Sequence, residues 1–104
     1  PGEDTAILAP HLNFTAPETF RGTVSDRSDV YAIGCILHYL LTATEPIVFE
    51  CSHPETLSAD LDAAVCKIVA TATAVDSECR YENLRWLALE LRQAMQGLNA
   101  PLAA

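Results

Sequence analysis

The longest apolar segment of the chain runs from Val30 to Leu41, with the sequence VYAIGCILHYLL. Apolar side chains occupy nearly every position of this segment, whereas a helix on a protein surface shows a polar stripe. The segment therefore predicts a helix that begins near Ser28, lies at the centre of the domain and is surrounded by other elements. It is too short to span a bilayer comfortably.

Three residues inside this segment depart from the plain aliphatic pattern. Gly34 costs a helix about 1 kcal/mol relative to alanine, which indicates either a close approach of another element or a tolerated glycine. We expect His38 and Tyr39 to be core groups with satisfied hydrogen bonds, and not ligands. The N-cap candidates for the helix are Ser25, Asp26 and Ser28.

Two more helices are predicted downstream, each with one apolar stripe. The first begins at its cap Ser58 and continues to about Ala74, and the second runs from about Glu82 to Gln96, with Gly97 as its stop. The apolar stripes consist of Leu61, Val65, Ile68, Ala72 and Val75 in the first helix and of Leu84, Leu87, Ala88, Leu91 and Met95 in the second. Because no strand pattern is sustained, the sequence predicts an all-α fold.

The remaining segments contain prolines and lack a helical period. Residues 1–16 are typical of an extended or looped arm. Pro17 is expected to open a one-turn helix that stops at Gly22. Residues 42–57 form a connection in which residues 47–49, Ile-Val-Phe, are interpreted as a short extended piece.

Charge changes the set of partners to consider. The 104 residues include 14 acidic and 6 basic side chains, which gives a net charge of −8. A negative domain is repelled by phosphate backbones and by anionic lipid, so nucleic acid and membrane surfaces are not expected partners. We expect another protein or a second copy of the chain as the partner.

The chemistry-bearing residues show no catalytic or metal-binding pattern. The four cysteines lack a C-x-x-C pair, so we expect reduced thiols of a cytoplasmic protein, and neither a zinc site nor a disulfide framework. The cysteines are Cys35, Cys51, Cys66 and Cys79. No Ser-His-Asp order, H-E-x-x-H or G-x-S-x-G is present, and the single lysine, Lys67, is expected to be solvated. We therefore predict no catalytic residue, no metal ligand and no cofactor.

Four segments in order carry a resemblance to a known family. They are Ala16-Pro17-Glu18, then SDRSDVYAIGCILHYLLTATEPI, then LSADLDAAVCKIV, then DSECRYENLRWLALELRQAM. Together they resemble the C-terminal lobe of the eukaryotic-type serine/threonine protein kinases of bacteria. The resemblance implies a helical subdomain with a short APE helix, a buried central αF helix, and the αH and αI helices.

The resemblance also implies structural roles for six residues. Glu18 ends the activation segment and forms the family's buried ion pair with Arg80. Asp29 matches the αF aspartate that holds the backbone of the catalytic loop. Ile36 and Leu40 match αF positions that support the hydrophobic spine on the adenine side, and Gly34 completes the ordered match. All of these roles belong to the scaffold.

The catalytic parts of that family are not in this sequence. There is no G-x-G-x-x-G, no V-A-I-K, no H-R-D and no D-F-G. The chain has Pro10-His-Leu-Asn-Phe14 where the family reads Gly-Thr-x-x-Tyr, and the family's αG helix is reduced or absent between Pro46 and Leu57. Residues 1–15 are interpreted as an activation-segment-like arm, residues 16–97 as the C-lobe-like domain and residues 98–104 as a tail.

Two functional hypotheses follow, beside the plain alternative of a helical domain with chance similarity. The first is a non-catalytic, kinase-like C-lobe that acts as a protein-interaction or regulatory module, with Trp86 and Leu89 as a candidate patch for a partner. A last helix buried on two sides would explain those two residues equally well. The second is the C-terminal part of a full kinase, in which the sites for ATP and Mg²⁺ lie upstream.

Overall fold

The computed structural model describes residues 9–98, and over that range it contains helices and no strand. The three α-helices are α1 (Asp26–Thr42), α2 (Ala63–Ala72) and α3 (Leu84–Leu98). Short 3-10 helices occupy Ala9–Phe14, Pro17–Arg21, Pro54–Thr56 and Ser77–Cys79. The predicted all-α, C-lobe-like fold is confirmed.

α1 begins at Asp26, two residues before the expected start near Ser28, and a capping box formed by Ser25 and Ser28 sets this start. The hydroxyl of Ser25 accepts a hydrogen bond from the backbone N–H of Arg27, and the hydroxyl of Ser28 accepts one from the backbone N–H of Ser25. These bonds satisfy N–H groups that a helix start otherwise leaves without partners. Ser25 is thus the one of the three cap candidates that holds the N-cap position.

The starts of α2 and α3 differ from the sequence-based prediction, because other residues supply the caps. Asp62 caps α2 by accepting a hydrogen bond from the N–H of Val65 at 3.0 Å, whereas Ser58 belongs to the turn that follows Pro54–Thr56. Asn83 precedes α3 and accepts a hydrogen bond from the N–H of Trp86. At its other end α3 continues to Leu98, so the prediction that Gly97 stops this helix was wrong.

The short elements before and after α1 are partly as predicted. The helix Pro17–Arg21 ends at Gly22, whose φ of 81° requires the freedom of glycine. Residues 47–49, expected to be extended, instead form a turn closed by a hydrogen bond from the N–H of Glu50 to the carbonyl of Ile47. Between residues 46 and 57, where the resemblance implied a reduced or absent αG, the structure contains the single 3-10 helix Pro54–Thr56.

Two apolar clusters lie on different sides of α1. One joins Val30 of α1 to Ile68 and Ala72 of α2 and to Leu87 of α3. The other joins Ala16 to Tyr31 and Cys35 of α1, with Phe14 packed against it. α1 therefore lies between the other helices and the segment that precedes it.

Gly34 marks a close approach between α1 and the C-terminal end of α2. A Cβ atom added to Gly34 would lie 2.7 Å from Thr73 Cγ2 and 2.9 Å from Ala72 Cβ. Both distances are shorter than real Cβ atoms adopt, so a side chain at this position would force the helices apart. Of the two interpretations of Gly34, the structure supports the close approach.

Contrary to the expectation, α1 is central without being surrounded. Tyr39, expected in the core, is 45% exposed, while Ile36 and Leu40 are 43% and 71% exposed within the described structure. The predicted stripes of the other two helices are also only partly buried, since Val75, Leu84 and Met95 are exposed. The apolar pattern thus overstated how much of this surface residues 9–98 cover.

The two ends of the predicted domain organisation are only partly described. Residues 1–8 of the predicted arm and residues 99–104 of the predicted tail lie outside the described residues. Within the arm, Ala9–Phe14 forms a 3-10 helix where an extended or looped segment was expected. None of the helices between residues 9 and 98 is long and apolar enough to cross a membrane.

Candidate functional site

Arg80 and Glu18, which lie 62 residues apart in sequence, form a bidentate ion pair. Nη1 of Arg80 donates to Oε2 of Glu18 at 2.7 Å, and Nη2 donates to Oε1 at 2.9 Å. The Arg80 side chain has no exposed surface and that of Glu18 is 13% exposed. This planar, two-point geometry is the strongest form of contact between a guanidinium and a carboxylate.

All five N–H groups of the Arg80 guanidinium have acceptors. Besides the two bonds to Glu18, Nη1 donates to the carbonyl of Arg27, Nε to that of Ala74 and Nη2 to that of Val75. A buried charge is tolerated only when it is paired and its remaining donors are satisfied. Arg80 meets both conditions, and in doing so it joins the start of α1 to the loop that follows α2.

Two further residues complete this cluster, and the sequence indicated neither as a partner of Glu18 or Arg80. The hydroxyl of Ser28 donates to Oε2 of Glu18 at 2.7 Å while its oxygen serves the capping box of α1. The guanidinium carbon of Arg80 lies 4.9 Å from the centroid of the Tyr31 ring, within the range of a cation–π contact. The one indication in the sequence that Ser28 and Tyr31 could belong to the cluster was that both follow Ser25, the N-cap of the buried helix, within six residues.

The electrostatics of the cluster favour the ionised carboxylate. Hydrogen bonding by Arg80 is the largest effect, and with a further contribution from Ser28 it lowers the pKa of Glu18 from 4.5 to about 2 in spite of partial desolvation. Burial raises the pKa of the neighbouring Tyr31 phenol and raises the pKa of the Cys35 thiol to about 12. Glu18 is thus an anion at neutral pH, and the phenol and thiol beside it are neutral.

A second group of family-matched residues lies on the outer surface of α1. Asp29, Ile36 and Leu40 follow one another at spacings of seven and four, which places them along one side of a helix. All three are exposed in the described structure. We refer to Asp29, Ile36 and Leu40 as the α1 stripe. The structure does not bring it into contact with the Glu18–Arg80 pair by any described hydrogen bond.

Trp86 and Leu89 lie on α3 with 51% and 41% of their surface exposed. Their neighbour Leu87, by contrast, is buried in the cluster that joins the three helices. A helix buried on two sides is therefore not the explanation for Trp86 and Leu89 within residues 9–98. Arg21 and Lys67 are exposed as well.

The four cysteines form no disulfide bond in the structure. All four are free thiols; Cys35 and Cys66 are buried and Cys79 is exposed. Between residues 9 and 98, no group of three or more histidine, cysteine or acidic side chains is placed to hold a metal ion. The best-defined polar arrangement is the Glu18–Arg80 cluster, whose geometry is that of a structural clamp.

Comparison with known proteins finds similarity to serine/threonine protein kinases of bacteria. The chain is 32% identical over 111 aligned positions to the serine/threonine-protein kinase PknB of Mycobacterium tuberculosis, covering 89% of this chain and 17% of that protein. It is 30% identical over 98 positions to the serine/threonine-protein kinase PknD of Chlamydia caviae, covering 82% of this chain and 10% of that protein. No family model matches the chain.

The extent of the match limits what it shows. The chain spans about a sixth or less of the length of the curated relatives it matches. Within that span the similarity covers most of the chain, and the described residues form the helical architecture expected of the lobe. Sequence and architecture together thus make this chain a C-lobe-like relative of the bacterial serine/threonine protein kinases.

Proposed function

We propose that this chain acts as a non-catalytic, kinase-like C-lobe that binds another polypeptide. The observation that supports the proposal is the α1 stripe, in which an acidic side chain and two large aliphatic side chains lie exposed along one face of the central helix. Grouped apolar residues on a surface are typical of binding sites for proteins.

The same helix is held firmly on its inner side. The fully hydrogen-bonded Arg80 joins its first turn to the loop after α2, and Gly34 allows close contact with α2. A rigid helix loses little conformational entropy when a partner binds, so the available contacts contribute more to affinity. The structural clamp and the exposed stripe are therefore two parts of one binding module.

The proposed function includes no catalytic reaction. Phosphoryl transfer depends on positioned groups that hold the phosphates, the metal ions and the nucleophile, and none of the corresponding motifs occurs in these 104 residues. The net charge of −8 disfavours nucleic acid and anionic membranes as alternatives to a protein partner. The free thiols are in keeping with a cytoplasmic site of action.

The binding function can be tested without knowing the natural partner. Peptides are selected by phage display against the folded chain and then compared on the wild type, on Leu40→Glu and on Trp86→Ala by fluorescence anisotropy. We expect peptides that bind the wild type and Trp86→Ala equally but lose at least about tenfold in affinity on Leu40→Glu, because a charge replaces a buried apolar contact. Equal binding to the wild type and Leu40→Glu would contradict the assignment to the stripe.

The non-catalytic part of the proposal has its own measurement. Isothermal titration of the purified chain with ATP and Mg²⁺ is expected to give no saturable heat, with cooperative thermal unfolding as the control for a folded sample. Micromolar affinity for the nucleotide, or transfer of phosphate to a protein substrate, would overturn this part.

The relatives are much longer than this chain, which favours one alternative: the chain is the C-terminal part of a complete kinase. If the chain is the C-terminal part of a complete kinase, the α1 stripe is covered by upstream residues of the same polypeptide instead of a separate partner. Sequencing the gene upstream of the codon for Pro1 distinguishes the two. Codons for H-R-D-x-x-x-x-N and D-F-G in frame, together with kinase activity of the longer product, would favour the complete kinase.

A further inference from the structure

A cavity of about 310 Å³ lies between the C-terminal part of α1 and the segment that connects α1 to α2. Its volume is at the lower end of the range for small-molecule sites in proteins. Its lining combines apolar side chains, among them Pro46, Ile47 and Leu57, with polar ones, among them His38 and Ser52. A small organic molecule is therefore the class of ligand that its size admits.

The cavity has one built polar feature, a buried pair formed by His38 and Ser52. Nδ1 of His38 lies 2.6 Å from Oγ of Ser52, and each residue is only 6% exposed. The backbone N–H of Ser52 donates to Oγ1 of Thr73 at 2.7 Å, which holds the serine in place. Nε2 of His38 is buried and has no hydrogen-bond partner among the described residues.

Counting donors assigns the proton on the His38 ring. If Ser52 donates its hydroxyl proton to Nδ1, a single group, the Nε2–H, is left without a partner. If Nδ1–H donates to Ser52 instead, both the serine hydroxyl proton and the Nε2 lone pair are left unsatisfied. Because buried polar groups in proteins are rarely unsatisfied, the first arrangement is favoured, and His38 then offers one spare N–H donor.

The charges around the cavity define the ligand further. Glu45 and Glu50 both line it and carry exposed carboxylates, and burial lowers the pKa of His38, so the ring is neutral at neutral pH. No lysine or arginine is among the residues that line the cavity, so an anion would meet the carboxylates of Glu45 and Glu50 without a compensating guanidinium or ammonium group. The acceptor that suits the His38 N–H is therefore an uncharged oxygen.

We propose that this cavity binds a compact, neutral, mainly apolar molecule whose carbonyl oxygen accepts a hydrogen bond from Nε2–H of His38. The apolar part of the ligand lies against the aliphatic and proline side chains of the connecting segment. Nε2 has almost no contact with solvent, so the oxygen reaches it through a small displacement of the cavity wall, and the new hydrogen bond stabilises the displaced form. The site is separate from the α1 stripe and does not depend on the function proposed above.

Benzamide serves as the probe, and benzoate serves as its charged counterpart of the same shape. Binding to the ¹⁵N-labelled chain is followed by nuclear magnetic resonance of the backbone amides and of the histidine ring nitrogens. We expect saturable shifts at residues 44–57 and a shift of the His38 Nε2 resonance with benzamide. Benzoate is expected to bind at least about tenfold more weakly, because its charge is repelled and poorly solvated in the cavity.

Two variants separate the pair from the rest of the cavity. His38→Phe/Ser52→Ala removes both hydrogen-bonding partners at once and should weaken benzamide binding by about tenfold, the equivalent of one hydrogen bond. Lys67→Gln, at an exposed residue of α2 that does not line this cavity, should bind as the wild type does. If benzoate and benzamide bind the wild type equally, or if the double variant retains full affinity, the proposal fails.

The ring tautomer gives a test that needs no variant. The ¹⁵N shifts of His38 in the wild-type chain should show the proton on Nε2 before and after benzamide is added. A proton on Nδ1, or the lack of any saturable shift with benzamide, would overturn the proposal even if the double variant fails to fold.

Discussion

Two buried polar connections fix the two ends of α1, and they are built on opposite principles. Near its N-terminal end Arg80 pairs with Glu18, and every guanidinium N–H has an acceptor. Near its C-terminal end His38 pairs with Ser52, and one ring nitrogen has no partner among the described residues. The first connection is charged and fully satisfied, and the second is neutral and satisfied only in part.

This difference separates a structural role from a binding role. A fully paired buried ion has no free donor to offer a ligand, and its loss leaves several groups without partners. A half-satisfied histidine beside a cavity retains one donor and costs less to disturb. One end of the helix is therefore suited to hold the domain together, while the other is suited to respond to a small molecule.

The largest expected effect is the loss of the charged connection. Arg80→Met should lower the free energy of unfolding by about 3–5 kcal/mol, because Glu18 is left as a partly buried charge without its partner. A domain of this size has a total stability of about 5–15 kcal/mol, so the variant is expected to be close to unfolding at 37 °C. Urea denaturation followed by circular dichroism at pH 7 measures the change.

Two companion variants show whether the loss of stability in Arg80→Met comes from the broken ion pair or from the removal of an arginine charge alone. Arg21→Met alters an exposed arginine of the Pro17–Arg21 helix and should change stability by no more than about 0.5 kcal/mol. Glu18→Leu/Arg80→Met should be more stable than Arg80→Met alone, because no unpaired charge remains, although three backbone carbonyls still lose their donor. A loss under about 1 kcal/mol for Arg80→Met would remove the contrast between the two connections.

The two connections also differ in how far the sequence could predict them. The pairing of Glu18 with Arg80 came from the resemblance to the kinase family, since no local pattern relates residues 62 positions apart. Ser52 lies in a segment without helical or strand period, so nothing in the sequence indicated that it would meet His38. The sequence predicted a satisfied histidine in the core, and the structure buries the ring but satisfies only one of its nitrogens.

Helix type and order were predictable, whereas caps and exposure were not. The apolar pattern predicted three helices in the right order, but Ser58 and Asp62 are both good cap residues. In the structure Ser58 belongs to the turn after Pro54, and Asp62 holds the N-cap position. Similarly, an apolar pattern along α1 cannot tell whether Leu40 is covered by this chain or left exposed. Competition between neighbouring caps, and the choice of what covers a helix face, are properties of the tertiary structure.

Acid should weaken the charged connection by a smaller amount than the loss of Arg80. The pKa of Glu18 is about 2 in the folded chain against 4.5 as its ordinary value, so its contribution is fully present well above pH 4.5 and declines as the pH falls toward 2. The effect is smaller because a protonated carboxyl still accepts a hydrogen bond from the guanidinium. Urea midpoints at pH 7, 4.5 and 3 measure it for the wild type and for Glu18→Gln, which lacks this titration. Equal pH dependence in the two proteins would assign the acid sensitivity to other carboxylates.

The smallest expected effect belongs to the neutral connection and is read from a double-mutant cycle. His38→Phe leaves the buried hydroxyl of Ser52 without its acceptor, and Ser52→Ala leaves Nδ1 of His38 without its donor, so each should cost about 1–3 kcal/mol. His38→Phe/Ser52→Ala leaves neither group unsatisfied and should cost less than the sum of the two, by about 1 kcal/mol of coupling. His53→Phe, at an exposed ring beside the same cavity, is the matched control and should change stability little. Additive costs would mean that the two residues contribute independently, and the half-satisfied pair would then be no connection at all.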